Sequence, residues 1–257
     1  MMDTAVILEI CAGSVTSALA AQKGGADRVE LCDNLLEGGT TPSYAAIVRA
    51  RELLKIALYP IIRPRGGDFL YDDLEFDIMS RDIALCRQLG CDGVVIGLLT
   101  AAGTVDKKRT KLLVELAWPM GVTFHRAFDR TRDPEEAMED IIQTGCERIL
   151  SSGQRPTAPE GAELLAALVR KAAGRIAIMV GSGVREDNIS ELVRRTKATE
   201  YHSTAKSLVE SNMRFGDKLA EKGVTPPLTV TDAGIVRRLR ERAQQALNLI
   251  SVPDPGP

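Results

Sequence analysis

Aromatic residues and net charge are scarce in this sequence of 257 residues, and their scarcity excludes one class of protein. Phe, Trp and Tyr make up 4% of the chain, which leaves few side chains on which unpaired bases could stack. The formal net charge is −2, from 33 Lys and Arg against 35 Asp and Glu, so no overall field attracts a polyanion. The sequence therefore predicts no nucleic-acid partner.

Long apolar runs and paired cysteines are lacking as well. Nowhere do the ~18 consecutive apolar residues of a membrane span occur. The N-terminal apolar stretch is broken by Glu9 and has no Lys or Arg before Lys23, unlike a secretory signal. We therefore expect a cytoplasmic protein without a membrane partner. The five cysteines include no Cys-x-x-Cys pair, so neither a disulfide framework nor a zinc knuckle is indicated.

What is present is a regular alternation of short β-rich apolar runs with longer helical patterns. Eight strands are predicted, at Ala5–Cys11, Val29–Cys32, Leu58–Arg63, Val94–Leu98, Val122–His125, Arg148–Leu150, Ile176–Val180 and Glu200–His202. Eight helices are predicted, at Val15–Lys23, Tyr44–Leu54, Asp72–Leu89, Lys107–Trp118, Pro134–Thr144, Glu160–Ala172, Asn188–Thr196 and Thr231–Leu249. This alternation is typical of a parallel sheet covered by helices, and the chain length matches one α/β (β/α)8 barrel of the TIM type, a single domain over residues 1–250.

Two segments do not follow the repeating plan. Ser203–Val230 is predicted as a long loop after the eighth strand, and loops of that length are typically functional or disordered. The Pro-rich residues 251–257 are predicted to form a disordered tail.

Ionisable residues gather at the carboxyl ends of the predicted strands, where barrel enzymes build their sites. They are Glu9, Glu30, Arg63, His125 and His202, which include both histidines of the chain. One interpretation is a buried, mutually satisfied ionic network that closes the barrel. The other is a functional site, which we favour because burying so many charges yields little net stability.

Alternation along the first two strands places Glu9 with Cys11 on one face, and Glu30 with Cys32 on the corresponding face of the next strand. We expect these two cysteines to lie close enough to share one ion, and Cys86, Cys91 and Cys146 to be remote, structural thiols. We expect Arg63, on the third strand, to be the counter-ion that keeps Glu9 and Glu30 ionised.

A glycine-rich turn follows the seventh strand and opens a helix. Gly181 and Gly183 allow backbone amides to approach an anion, and Ser203 after the eighth strand adds a hydroxyl group. Barrels often bind phosphate with these two loops, so we expect an anion site here. The competing interpretation is that Glu186 or Asp187 occupies the same amides.

Several longer motifs in this order resemble the copper homeostasis protein CutC family. They are Leu8-Glu-Ile-Cys11, Gly25-Ala-Asp-Arg-Val-Glu-Leu-Cys32, Glu37-Gly-Gly-Thr-Thr-Pro-Ser43, Ile62-Arg-Pro-Arg-Gly-Gly-Asp-Phe69, Val122-Thr-Phe-His-Arg-Ala-Phe-Asp129, Arg148-Ile-Leu-Ser-Ser-Gly-Gln154 and Glu200-Tyr-His-Ser-Thr-Ala205. The similarity runs from Leu8 to Phe215.

This resemblance implies a TIM barrel with a cytoplasmic role in copper handling, and Cu(I) as the bound metal. The cysteines it implies as ligands are Cys11 and Cys32, whose soft thiolates suit Cu(I). The alternative is an enzyme acting on a small anionic or phosphorylated metabolite. In that enzyme Arg63 and Arg65 clamp the anion, and His125 or His202 moves protons. A homo-oligomer is compatible with either function.

Overall fold

The computed structural model describes residues 5–213 and 227–251. Eight strands form its central sheet: β1 Ile7–Ala12, β2 Arg28–Leu31, β3 Ala57–Pro60, β4 Gly93–Ile96, β5 Gly121–Phe124, β6 Arg148–Ser151, β7 Ala177–Val180 and β8 Glu200–Ser203. Each lies within three residues of its predicted position.

Helices connect successive strands and cover the sheet. They are α1 Val15–Gly24, α2 Tyr44–Leu53, α3 Asp73–Gln88, α4 Lys107–Ala117, α5 Pro134–Thr144, α6 Ala162–Ala172, α7 Ile189–Thr196 and α8 Ala233–Ser251. Local chemistry sets several helix starts. Ser43 accepts a hydrogen bond from the Ala46 amide, and Asp133 accepts from the Glu135 and Glu136 amides ahead of Pro134.

The sheet is parallel throughout and closes on itself. Its strand order is β3-β2-β1-β8-β7-β6-β5-β4. The two ends meet just past β3, where Ile61 bridges to Val95 of β4 and the Ile62 amide donates to the Val95 carbonyl at 2.8 Å. The predicted (β/α)8 barrel is therefore confirmed.

The long segment after β8 contains secondary structure that the sequence did not indicate. β9 (Lys206–Val209) pairs antiparallel with β10 (Leu228–Thr231), so a two-stranded ribbon precedes α8. Most of the predicted tail, residues 252–257, lies outside the described residues, as do residues 214–226 between the two strands of the ribbon. No helix in residues 5–213 and 227–251 has the length and apolar character needed to cross a bilayer.

Strand alternation divides the buried residues into two layers. Leu8, Ile10 and Val29 belong to the large apolar cluster that the helices share. A small second cluster contains Cys11, Cys32, Tyr59, Ile61 and Val95 and no helical residue. Because neighbours along a strand point to opposite faces, this second layer and the buried charged residues fill the inside of the barrel.

Candidate functional site inside the barrel mouth

The two cysteines predicted to lie together do so. Cys11 at the end of β1 and Cys32 just after β2 are both buried, and their Sγ atoms are 3.5 Å apart. Ligand atoms of Cys11, Cys32 and Glu30 all lie within 4.8 Å of one another. Two sulfurs at this separation can reach one ion through metal–sulfur bonds of about 2.3 Å, because the separation is less than twice that length.

The other three cysteines belong to no such group in the described part of the chain. Cys86 is in α3, Cys91 precedes β4, and Cys146 precedes β6. Both of these strand starts are at the opposite end of the barrel from Cys11 and Cys32, which fits the structural role expected for these thiols.

A histidine between two carboxylates lies beside the thiols. His202 Nδ1 is 2.7 Å from Glu9 Oε1, and His202 Nε2 is 3.7 Å from Glu30 Oε2. Burial alone lowers the pKa of His202, but hydrogen bonds with Cys11 and Glu9 and the charges of Glu30 and Glu9 raise it well above its usual value. His202 is therefore an imidazolium at neutral pH, and it supplies positive charge to the thiol pair.

This charge distribution separates the two thiols chemically. The hydrogen bond with Cys32, followed by the hydrogen bond and charge of His202, lowers the pKa of Cys11 to about 5 in spite of burial. The hydrogen bond that Cys32 donates to Cys11, together with burial, raises the pKa of Cys32. Burial and the Cys11 charge likewise raise the pKa of Glu30. One thiolate is therefore available at neutral pH, as metal binding by cysteine requires.

The counter-ion of Glu9 is an arginine that the sequence analysis did not select. Arg28, at the start of β2, forms an ion pair with Glu9 through Nε and with Glu200 through Nη2 at 2.6 Å. Arg148 on β6 reaches the same Glu200 oxygen at 2.9 Å and also pairs with Glu147. These buried residues form an ionic layer beneath the site. Glu9 therefore takes part in a buried ionic network, although its partners differ from those in the network interpretation.

Register could have identified Arg28. It lies directly opposite Glu9 in the β1–β2 pairing, and alternation places it on the same face as Glu30. The predicted strand began at Val29, one residue too late, which removed Arg28 from consideration.

The prediction that Arg63 neutralises Glu9 and Glu30 is wrong. Arg63 lies three residues beyond β3, where its guanidinium donates to the backbone carbonyls of Glu37, Gly39 and Gly67 at 2.7–3.0 Å. It forms no ion pair with any carboxylate in the described residues. The side chain therefore ties the loop after β2 to the loop after β3.

Arg65, which was predicted to clamp an anion together with Arg63, has carboxylate partners within the protein. Arg65 pairs with Glu75 at 2.5 Å and with Asp68 at 3.0 Å, and 39% of its side chain is exposed. The turn after Pro64 directs this side chain towards the start of α3, and Arg65 does not line the cavity described below.

The two histidines differ in chemical state. His125 Nδ1 accepts a hydrogen bond from the Ala127 amide at 3.1 Å, and the ring packs 5.0 Å from the Phe69 ring. Burial, followed by the charge of Arg63, lowers the pKa of His125 to about 3, so this imidazole is neutral. Nε2 has no hydrogen-bond partner in the described residues. Of the two histidines, His202 is therefore the one that carries an acidic proton.

The glycine-rich turn lies where the sequence predicts. The Gly181 amide donates to the Ser151 carbonyl at 3.0 Å, and Ser203 Oγ donates to the Val184 carbonyl at 2.8 Å, which joins the loops after β7 and β8. Glu186 does not occupy the turn, because Arg238 holds both of its oxygens at 2.7 and 2.9 Å.

One cavity of about 1410 Å³ opens at the carboxyl ends of the strands and joins most of these groups. Of the predicted site residues, those that line it are Cys11, Glu30, Arg63, His125, Gly183, His202 and Ser203. Glu9 and Cys32 lie behind this lining and contact it through His202 and Cys11. The arrangement is a thiol and imidazolium floor below a volume large enough for a small molecule.

Comparison with known proteins places the chain in a family. The chain matches the model of the CutC family over residues 6–207. It is 57% identical over 244 residues to family protein CutC of Chromobacterium violaceum, covering 93% of this chain and 99% of that protein. It is 47% identical over 243 residues to family protein CutC of Bacteroides thetaiotaomicron, covering 94% and 96%.

Solved structures give the same picture. A CutC structure from Streptococcus agalactiae, whose name refers to copper homeostasis, is similar with a TM-score of 0.74 and 36% identity, over 77% of this chain and 98% of that one. N-(5'-phosphoribosyl)anthranilate isomerase of Pyrococcus furiosus is similar with a TM-score of 0.58 but 12% identity, over 93% and 99%. The second similarity is one of fold alone.

Proposed function

Since the chain belongs to the CutC family, we propose that it serves copper homeostasis by binding Cu(I) through Cys11 and Cys32. The observation that carries this proposal is the 3.5 Å separation of the two Sγ atoms on the cavity floor. A similar structure, from Streptococcus agalactiae, is named for copper homeostasis. We propose a cytoplasmic location, which agrees with five cysteines that are all free.

The donor set suits Cu(I) rather than a hard cation. Thiolates are soft ligands that select Cu(I), whereas Mg²⁺ and Ca²⁺ prefer oxygen ligands. The hydrogen bonds of Cys32 and His202, which hold the pKa of Cys11 near 5, keep one thiolate ready at neutral pH. Glu30 offers a further donor, since one of its carboxyl oxygens belongs to the same group of ligand atoms.

A competition titration tests this proposal. Reduced protein competes for Cu(I) with a chromophoric chelator, and Cys11→Ser/Cys32→Ser is compared with Cys91→Ser/Cys146→Ser, which also changes two buried thiols. We expect the first variant to lose more than the roughly 10–100-fold in affinity that loss of an outer-shell partner costs. The second should bind as the unchanged protein does. Equal Cu(I) affinity in the two variants would show that Cys11 and Cys32 are not the ligands.

A second function is favoured by the size of the cavity. About 1410 Å³ greatly exceeds the space that one ion needs, and it is above the roughly 300–1,000 Å³ of typical small-molecule sites. We propose as the second candidate an enzyme that acts on a small anionic metabolite, with His202 moving protons. Glu9 would orient the His202 ring through its 2.7 Å contact.

A further inference from the structure

Three backbone amides in the loops after β7 and β8 donate to no acceptor among the described residues. We infer that the cavity binds a small organic phosphate, whose phosphate group these amides of Gly183, Val184 and Thr204 hold. All three residues line the cavity. Within residues 5–213 and 227–251 none of the three amides donates a hydrogen bond, whereas the neighbouring Gly181 and Arg185 amides do. Backbone donors converging from two loops are a common way to bind a phosphate.

The two loops are held in one arrangement. Ser203 Oγ donates to the Val184 carbonyl at 2.8 Å and accepts from the Ala205 amide at 3.2 Å. Asn188 Nδ2 donates to the Gly183 carbonyl at 2.8 Å, while its Oδ1 accepts from the Arg185 amide at 2.9 Å. The amides are therefore preorganised, and a ligand does not have to bear the cost of ordering them.

The nearby carboxylates do not compete for these amides. Glu186 is held by Arg238, and Asp187 lies 3.4 Å from the Arg185 guanidinium. Lys206, at the start of β9, lines the same cavity with an exposed side chain and forms no ion pair with a described carboxylate. Lys206 therefore adds a positive charge, without a described carboxylate partner, to the cavity that these amides line.

Arg63 points to an anionic ligand independently of the amides. It lines the same cavity, is only 4% exposed, and bonds to carbonyl oxygens rather than to a carboxylate. Its Nε has no partner in the part of the chain that the structure describes. A buried cation without a counter-charge is costly. An anion inside the cavity would supply the missing charge.

The remaining lining indicates what the phosphate is attached to. Glu30 and His202 on the floor offer polar contacts to hydroxyl groups, and Phe69 and Leu99 offer apolar contact to a carbon skeleton. A phosphate monoester with a short hydroxylated carbon chain satisfies both. This inference deepens the second candidate function and does not depend on copper binding.

A titration with inorganic phosphate tests the inference. Reduced, metal-free protein is titrated at constant ionic strength and followed by amide NMR, with chloride and acetate as separate arms. We expect saturable shifts of the Gly183, Val184 and Thr204 resonances with phosphate and none with chloride. Lys206→Glu should weaken phosphate binding at least about tenfold, which is the scale of one charge-assisted contact. The same charge change at exposed Lys108, outside the cavity lining, should leave binding unchanged.

Several results would overturn the inference. They are no saturable binding of phosphate, saturation with shifts confined to other residues, or equal affinity for Lys206→Glu and Lys108→Glu. Equally tight acetate binding at the same amides would replace the phosphate ester with a carboxylate. The Cu(I) affinity of Lys206→Glu is measured in parallel, and it should not change. A failed phosphate site and a failed copper site are thus separate outcomes.

Discussion

Glu9 is a fully buried carboxylate, and its neighbours inside the barrel favour its ionised form. Burial alone raises its pKa, but the charge of Arg28 and the hydrogen bond from His202 outweigh that effect and lower the pKa to about 2. The ordinary pKa of a glutamate side chain is 4.5. The folded state therefore gains stability from Glu9 above pH 4.5 and loses it as the pH falls towards 2.

We expect Glu9→Gln to destabilise the fold by about 3–5 kcal/mol, because the change leaves Arg28 and the His202 imidazolium without part of their counter-charge. Urea unfolding at pH 7 measures the loss. Glu52→Gln, which breaks an exposed ion pair with Arg49, is the control and should cost less than about 1 kcal/mol. Between pH 4.5 and 2 the stability of Glu9→Gln should fall less than that of the unchanged protein. Parallel pH curves would show that Glu9 does not contribute to acid unfolding.

Arg63 should stabilise the fold through hydrogen bonds and not through an ion pair, since its partners are backbone carbonyl oxygens. Arg63→Ala removes the donors to Glu37, Gly39 and Gly67, so we expect a lower melting temperature. Because hydrogen bonds to charged groups contribute about 1.5–3 kcal/mol each, the loss should exceed about 2 kcal/mol. Arg81→Ala, which breaks one exposed i,i+4 pair, is the control. An unchanged melting temperature for Arg63→Ala would show that the two loops keep their positions without it.

The position of an individual side chain in the site could be predicted from the sequence only where the residue lies in a strand, because there alternation fixes the face. Cys11 and Cys32 were found because a period of two fixes the face of each residue once the strand is located. Arg63 was misassigned because it lies in a loop, where no period applies and the partner is a backbone carbonyl. Arg28 was missed by one residue, and with it the whole ionic layer that Arg28, Glu200 and Arg148 form.

The elements themselves were more predictable than their side-chain partners. Ser43 and Asp133 mark the starts of α2 and α5 because a side-chain oxygen before an apolar helical pattern satisfies free amides. The β9–β10 ribbon was not predicted. Its strands are short and mostly exposed, so they lack the apolar alternation by which the barrel strands were recognised.

The packing of α1 against α8 depends on Gly24, at the end of α1. A Cβ at Gly24 would lie 2.5 Å from Val236 Cβ and 2.6 Å from the Ala233 carbonyl oxygen, both in α8. Gly24→Ala should therefore destabilise the fold by about 1–3 kcal/mol through overpacking, although alanine is favoured in helices. Urea unfolding measures the change, with Lys23→Ala at the exposed neighbouring position as control. Equal or greater stability for Gly24→Ala would mean that α8 shifts freely.

At the scale of the whole molecule, closure of the barrel brings residues distant in the sequence to one cavity. Cys11 and His202 come from adjacent strands β1 and β8, which pair through Glu9 and His202. Arg63 and Gly183 line the same cavity from loops more than 100 positions apart in the numbering. The fold class predicted this convergence, because all eight strands of a parallel barrel end at one face. The size of the cavity and the contacts within it required the structure.

In the proposed function, Cys11 and Cys32 together hold one Cu(I). X-ray absorption at the copper edge tests this most directly, on reduced protein loaded with one equivalent of Cu(I) and on Cys11→Ser/Cys32→Ser treated in the same way. We predict a shell of two sulfur ligands in the first sample and no sulfur ligand in the second. A shell of nitrogen and oxygen alone in the first sample, or the same sulfur shell in both, would contradict the claim.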